Sequence, residues 1–190
     1  MSVRWIHFIG VSVLVLGLMA CGERRVHVEN PYLSHRAEGR LFFGEEPFSG
    51  IVVTNHQAKD ARRETRYRNG WKEGLLRAWY GVGQIAEERM FAGGKRVGVH
   101  RGWWPNGNPQ FYYEYESDRQ HGDAWEWFES GEVRTYRRYD MGREIGAKIW
   151  RPSGQIHANY VYTDERLYGV AGGRLCRKVR SDTSGETTVY

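Results

Sequence analysis

The chain has 190 residues, and its 28 lysines and arginines against 23 aspartates and glutamates give a formal net charge of +5. That length suits a single domain. No stretch after residue 25 keeps apolar residues at the three- and four-residue spacing of an amphipathic helix, which excludes a helical bundle. The charges are spread along the chain, as expected for exposed strand faces that keep a flat sheet soluble.

The first 21 residues have the features of an export signal. Arg4 is the only charge before Glu23, and an apolar run over residues 8–19 precedes Ala20 and Cys21. This order is typical of a secretory signal, so residues 1–20 are predicted to be a signal peptide. The sequence Leu-Met-Ala-Cys over residues 18–21 resembles a bacterial lipobox, which implies cleavage before Cys21 and a diacylglycerol on its sulfur.

An uncleaved membrane anchor is the alternative, because residues 5–22 are uncharged and their number is at the low edge for spanning a bilayer. Either interpretation predicts a location in the cell envelope. Gly22 differs from the aspartate that resembles an inner-membrane retention signal, which favours the outer membrane if the source is Gram-negative. An exported chain does not routinely meet nucleic acid, so we expect membrane attachment and an envelope protein or polymer as the partner. Residues 21–39 have little apolar content and are predicted to be a tether.

A glycine that returns every 24 residues dominates the next segment. A fixed period of this size indicates a repeat array, predicted here over residues 40–168. A second glycine follows nine places after the first in most units, and both sets are predicted to lie in structural turns. The first set is Gly50, Gly74, Gly98, Gly122 and Gly146, and the second is Gly83, Gly107, Gly131 and Gly154.

Runs of about six residues rich in tryptophan, tyrosine, phenylalanine and valine separate the tight-turn dipeptides, such as Asn69-Gly70 and Asn106-Gly107. Each unit is therefore predicted to be one hairpin. The expected fold is all-β, an elongated antiparallel β-meander built from about five 24-residue hairpin repeats.

Paired aromatic residues stand at the fifth and sixth places after Gly74, Gly98 and Gly122, and Trp150 takes the fifth place of the last unit after a one-residue deletion. Neighbours along a strand point to opposite faces, so the two places form two rows. One interpretation is that the rows pack rung on rung as a core; the other is that one row forms a binding ladder for an extended polymer or peptide. The candidate ladder residues are Trp79, Tyr80, Trp103, Trp104, Trp127, Phe128 and Trp150.

The repeat resembles that of the MORN-variant family, sometimes labelled YwqK-type antitoxins. The resemblance is carried by residues 67–74, which read tyrosine, arginine, asparagine-glycine, three further residues and glycine, followed by Trp79-Tyr80, and it recurs over residues 139–146. It implies the repeat fold but no shared catalytic residues. The antitoxin label implies an inhibitory action on a partner protein.

The repeat breaks down after residue 168. Residues 169–180, which include Cys176, are predicted to form a C-terminal cap, and residues 181–190 are polar and predicted to be disordered.

Several apparent catalytic motifs are explained by the repeat. Residues 81–86 match a dinucleotide fingerprint, but that motif requires a following helix, and Gly83 aligns with Gly107 and Gly131 as a turn. His100 and His121 stand at different repeat places, with no nucleophile placed beside them. The sequence therefore predicts no catalytic residues, no metal and no cofactor.

The expected function is that of a membrane-anchored lipoprotein that acts as a non-catalytic protein-interaction module of the cell envelope. The alternatives are recognition of a wall polysaccharide or lipid head groups through the aromatic ladder, or inhibition of a partner protein.

Overall fold

The computed structural model describes residues 23–56, 61–81 and 83–172. The predicted signal peptide, Cys21, residues 173–180 of the predicted cap and the predicted tail lie outside the described residues. One short 3-10 turn, Ala37–Gly39, accompanies the strands. The strands are β1 (Arg25–His27), β2 (Leu33–His35), β3 (Leu41–Phe43), β4 (Glu46–Pro47), β5 (Gly50–His56), β6 (Ala61–Arg68), β7 (Trp71–Lys72), β8 (Gly74–Tyr80), β9 (Ile85–Ala92), β10 (Lys95–Arg96), β11 (Gly98–Trp103), β12 (Pro109–Glu116), β13 (Arg119–Trp127), β14 (Val133–Asp140), β15 (Arg143–Trp150), β16 (Ile156–Thr163) and β17 (Arg166–Val170).

The main sheet follows the order of the chain. From β5 to β17 each long strand pairs antiparallel with the next, and the short strands β7 and β10 pair with β6 and β9. β1 adds to β5 at the near edge and is parallel to it. The predicted all-β, elongated antiparallel meander is confirmed.

One backbone hydrogen bond repeats along the array. The amide of Gly94 donates to the carbonyl of Lys72 at 2.9 Å, and that of Gly142 donates to Gln120 at 2.7 Å. Equivalent bonds join Gly70 to Phe48 and Asp118 to Arg96, so four donors and four acceptors are each spaced by 24 residues. Each turn is therefore attached to the preceding unit in the same way.

The second set of predicted turn glycines lies in the loops that close the hairpins. In the loop after β11, Gly107 donates to the carbonyl of Trp104 at 2.9 Å, and the Trp104 amide donates to Asn108 at 2.8 Å. The φ angle of Gly107 is +89°, so this loop is a turn that ends in a left-handed residue. Gly83, Gly131 and Gly154 occupy the equivalent positions.

The first set differs from the prediction. Gly50, Gly74 and Gly98 begin strands β5, β8 and β11, while Gly122 and Gly146 lie inside β13 and β15. Before the last four of these glycines, the chain reverses at residue pairs in which both residues have positive φ; these pairs are 69–70, 93–94, 117–118 and 141–142, and a fifth pair, 164–165, lies between β16 and β17. Such pairs suit two-residue hairpin turns. The chain reversals expected at the first-set glycines are made by these pairs instead.

The predicted tether also differs, because residues 25–39 form β1, β2 and the 3-10 turn. Val26 in β1 is buried, and Leu33 in β2 packs against the same cluster. The core of the molecule lies here, where the small sheet β2–β3–β4 covers β5 and β6. The segment is therefore held on the array by these apolar contacts together with the pairing of β1 to β5. The cluster consists of Val26, Leu41, Phe48, Val52 and Tyr67.

From β8 onward the described strands form a single layer, in which each strand packs against its hydrogen-bonded neighbours. Side-chain alternation divides this layer into two faces. The alanine face carries the buried small residues Ala78, Gly102, Ala124, Ala147 and Ala158. The tryptophan face carries Trp79, Trp103, Trp125, Trp127 and Trp150, all half-buried.

Candidate ligand-binding face

The fifth-place residues of the predicted ladder lie on the tryptophan face. Each of these tryptophans is the register partner of the residue two places after the second-set glycine of its hairpin. The strand register shifts by one residue immediately before each tryptophan. Successive rings are two strands apart, about 10 Å along the sheet. The pairs are Trp79 with Ile85, Trp103 with Pro109, Trp127 with Val133, and Trp150 with Ile156.

The sixth-place residues connect one hairpin to the next. The Tyr80 hydroxyl donates to the carbonyl of Trp103 at 2.8 Å. Trp104 Nε1 donates to the carbonyl of Trp127 at 3.2 Å. The third member of this row, Phe128, is half-buried, and its side chain has no polar atom to donate. These bonds favour a packing role for the second row.

A further row of aromatic residues, which the sequence analysis did not single out, crosses the middle of the tryptophan face. Tyr112, Trp125 and Tyr136 are register partners on β12, β13 and β14. The ring centroids of Trp125 and Tyr136 are 4.3 Å apart, and those of Trp125 and Trp127 are 6.2 Å apart. Trp125 precedes Trp127 by two residues, so the two side chains lie on the same face of the strand. This spacing is the sequence signal that could have placed Trp125 beside the predicted ladder.

Two carboxylates lie beside this row and are held in place by it. The Tyr112 hydroxyl donates to Glu114 Oε1 at 2.7 Å, and the amide of Asp123 donates to Glu114 Oε2 at 3.0 Å. The Tyr136 hydroxyl donates to Asp123 Oδ1 at 3.0 Å. The hydrogen bond to Glu114 raises the pKa of Tyr112, and burial raises the pKa of Tyr136. Both phenols therefore stay protonated and act as donors.

Gly122 makes room for one of these carboxylates. Its φ angle is +98°, and a Cβ atom at this position would collide with the Glu114 carboxylate. The register between β12 and β13 is irregular at the same point. The positive φ favours glycine at this position, and the missing Cβ leaves the space that the Glu114 carboxylate occupies.

These residues line an open cavity of about 380 Å³. Its walls are Tyr112, Glu114, Asp123, Trp125, Trp127 and Val133. Arg101 and Lys148 are the register partners of Tyr112 and Tyr136, so a cation stands at each end of the aromatic row. Arg138 is the register partner of Asp123. The cavity thus combines an aromatic floor with fixed acceptors and peripheral donors.

The carboxylates of the two faces differ in their partners. On the alanine face, Tyr113 donates to Glu126 at 2.8 Å, and Arg137 forms ion pairs with Glu126 and Glu144 at 4.0 and 3.2 Å. Within the described ranges, neither Glu114 nor Asp123 has an ion pair within 4.0 Å. On β12 to β15, the carboxylates of the alanine face are thus paired, whereas Glu114 and Asp123 on the tryptophan face are available to a ligand. Nearer the start of the array, Glu64 and Glu88 on the tryptophan face are paired with arginines.

The histidines and Asp118 are placed apart from this cavity. Asp118 accepts hydrogen bonds from the amide and Nε of Arg96, while His121 lies near Glu116 and Asp140 on the surface. His100 is fully buried on the alanine face. The structure thus brings none of the three to the aromatic row.

No protein-family model matches the chain, and no curated protein matches it. Within residues 23–56, 61–81 and 83–172, no helix has the length and apolar character needed to cross a membrane.

Proposed function

We propose that the protein is a non-catalytic recognition module of the cell envelope, attached to a membrane through lipidated Cys21, which binds an envelope component with its tryptophan face. The observation that supports it best is the single-layer sheet whose tryptophan face carries half-exposed rings from β8 to β15. An aromatic surface of this extent is typical of interaction sites, because covering it with a partner removes apolar area from water.

The membrane attachment rests on the sequence of residues 1–21 alone. A protein partner and a wall polymer are both compatible with an open, ribbon-like face. The cavity over Trp125 favours the polymer, because it can hold one small unit of a chain, whereas a stable protein contact needs roughly 800 Å² on each side.

Cell fractionation tests the attachment. We expect the wild-type protein in the membrane fraction and the Cys21→Ser variant in the soluble fraction, because the serine cannot form the thioether to the lipid. Cys176→Ser is the matched control and keeps the wild-type distribution. A Cys21→Ser protein that remains with the membrane would contradict lipid attachment.

Retention on isolated envelope material tests the binding face. Full-length protein in detergent is expected to be retained, and Trp103→Ala and Trp127→Ala to lower retention, because each removes a ring from the tryptophan face. Phe111→Leu, on the alanine face, is the control. Equal retention of all four proteins would contradict the assignment of this face.

A further inference from the structure

We propose that the cavity over Trp125 binds an extended, β-linked saccharide chain, with one sugar ring stacked on the Trp125 indole. This inference rests on the proposed function, because it assigns a ligand class to the same face. It differs from the predicted ladder because the site is the local group of Tyr112, Trp125, Trp127 and Tyr136. Of these, only Trp127 belongs to the line of fifth-place tryptophans.

The aromatic floor suits a sugar ring. A β-linked pyranose carries axial C–H groups on both faces, and the negative face of an indole attracts such groups. Trp125 lies between Tyr112 and Tyr136 in register, and Trp127 flanks it on the same strand. The planes of Trp125 and Tyr136 are tilted by 37° with their centroids 4.3 Å apart, so the rings form one closely packed, uneven aromatic floor.

The carboxylates supply acceptors for sugar hydroxyls. Glu114 is oriented by the Tyr112 hydroxyl and the Asp123 amide, and Asp123 by the Tyr136 hydroxyl. A carboxylate offers about four acceptor sites, so each retains capacity for a ligand. Because the groups are already ordered, little conformational entropy is lost when a sugar binds. Hydrogen bonds to charged acceptors are also stronger than those between neutral groups.

The charge pattern favours a neutral chain. Arg101, Arg138 and Lys148 surround Glu114 and Asp123, so the site presents donors and acceptors of both signs. A strongly anionic polymer would meet the two carboxylates, and a strongly cationic one would meet the three cations. Hydroxyl and amide groups can pair with both.

The row of side chains indicates the direction in which the bound saccharide would run. The row from Arg101 through Tyr112, Trp125 and Tyr136 to Lys148 crosses five adjacent strands. Four strand spacings are about 19 Å, which gives room for several sugar units. We therefore expect affinity to rise with chain length up to an oligosaccharide of this extent.

The test uses full-length protein in detergent and two probes, the β-1,4-linked hexasaccharides of glucose and of N-acetylglucosamine. Calorimetry and tryptophan fluorescence report binding. We expect saturable binding of at least one probe, and a loss of about tenfold or more in Trp125→Ala, as for the central residue of a contact. Glu114→Gln keeps the aromatic floor and is expected to weaken binding several-fold by removing a charged acceptor.

Two matched hydroxyl removals, one in the cavity and one on the alanine face, test the role of the oriented carboxylate. Tyr112→Phe removes the hydroxyl that orients Glu114 and should weaken binding, whereas Tyr113→Phe removes the equivalent hydroxyl on the alanine face and should not. Phe111→Leu, also on the alanine face, should likewise leave the affinity unchanged. Circular dichroism and thermal melting establish that each variant is folded.

Two results would overturn the saccharide site: no saturable binding of either probe by folded wild-type protein, or equal weakening by Phe111→Leu and Trp125→Ala. If neither probe binds but retention on envelope material still depends on Trp103 and Trp127, the proposed function stands and its partner is a protein. Absence of both kinds of binding would overturn both proposals.

Discussion

His100 shows how one buried residue makes the stability of the array depend on pH. The side chain is fully buried between Phe91 and Tyr115, and its Nε2 lies 2.9 Å from the carbonyl of Met90. Because a carbonyl only accepts, Nε2 carries a hydrogen. Nδ1 is buried with no hydrogen-bond partner among the described residues.

Burial lowers the pKa of His100 below its ordinary value of 6.5, and the nearby Arg89 and Arg96 lower it further. Below about pH 6.5 the unfolded chain therefore binds a proton that the folded chain excludes, so the free energy of unfolding falls as the pH drops. We expect the melting temperature of the wild-type protein to decrease from pH 7.5 to pH 5.5. His100→Phe should flatten this dependence, measured by circular dichroism. Parallel curves for the two proteins would show that His100 is not the group responsible.

Two glycines show what the sequence could and could not predict at this scale. Gly107 was expected in a turn because the Asn106-Gly107 pair is a local signal, and its φ of +89° is that of a left-handed turn residue. Gly122 also has a positive φ, but it lies inside β13, and its missing Cβ leaves space for the carboxylate of Glu114 on the neighbouring strand. Spacing alone therefore found both glycines but assigned the second to a chain reversal.

At the scale of the hairpin, side-chain bonds to the next unit fix the array. Trp104 Nε1 donates to the carbonyl of Trp127, whereas no such bond is made by Trp103 Nε1 within the described part of the chain. Both rings are half-buried and adjacent in sequence, so they form a matched pair.

We expect Trp104→Phe to lower the free energy of unfolding by about 1 kcal/mol more than Trp103→Phe, because only the former leaves a hydrogen bond unmade. Denaturant unfolding followed by circular dichroism gives both values. An equal loss in the two variants would mean that the bond to Trp127 contributes nothing to the attachment of one hairpin to the next.

The meander was predictable because its signals are local: turn dipeptides, and strand-forming runs of regular length. The aromatic row over Tyr112, Trp125 and Tyr136 was not, because these residues are brought into line by the register of three strands. Register depends on the irregularities near Gly122 and before Trp127, which a regular period does not encode. The folding of residues 25–39 was missed because a few apolar side chains stand among charged ones.

At the scale of the whole molecule, stability is distributed unevenly. The apolar core lies under β5 and β6, whereas β17 is exposed at every residue, with Leu167, Tyr168 and Val170 at least 40% exposed. Strands with few buried contacts open at low free energy.

Hydrogen exchange followed by mass spectrometry measures this distribution directly. We expect the amides of β5 and β6 to exchange slowest and those of β16 and β17 to exchange fastest, with intermediate rates in the strands between them. Uniform protection from β5 to β17 would instead indicate that the sheet opens as a single cooperative unit.

The repeated bond from Gly70, Gly94, Asp118 and Gly142 to the unit before it has a consequence for how such a gene can change. Every unit offers the same backbone carbonyl to the unit that follows it. Duplication or loss of one unit therefore preserves the hydrogen bond between neighbouring units. A duplicated copy would add two strands and lengthen the ribbon by about 10 Å without redesigning the interior. Length variants of this protein should therefore differ in whole multiples of the unit, and each should still fold.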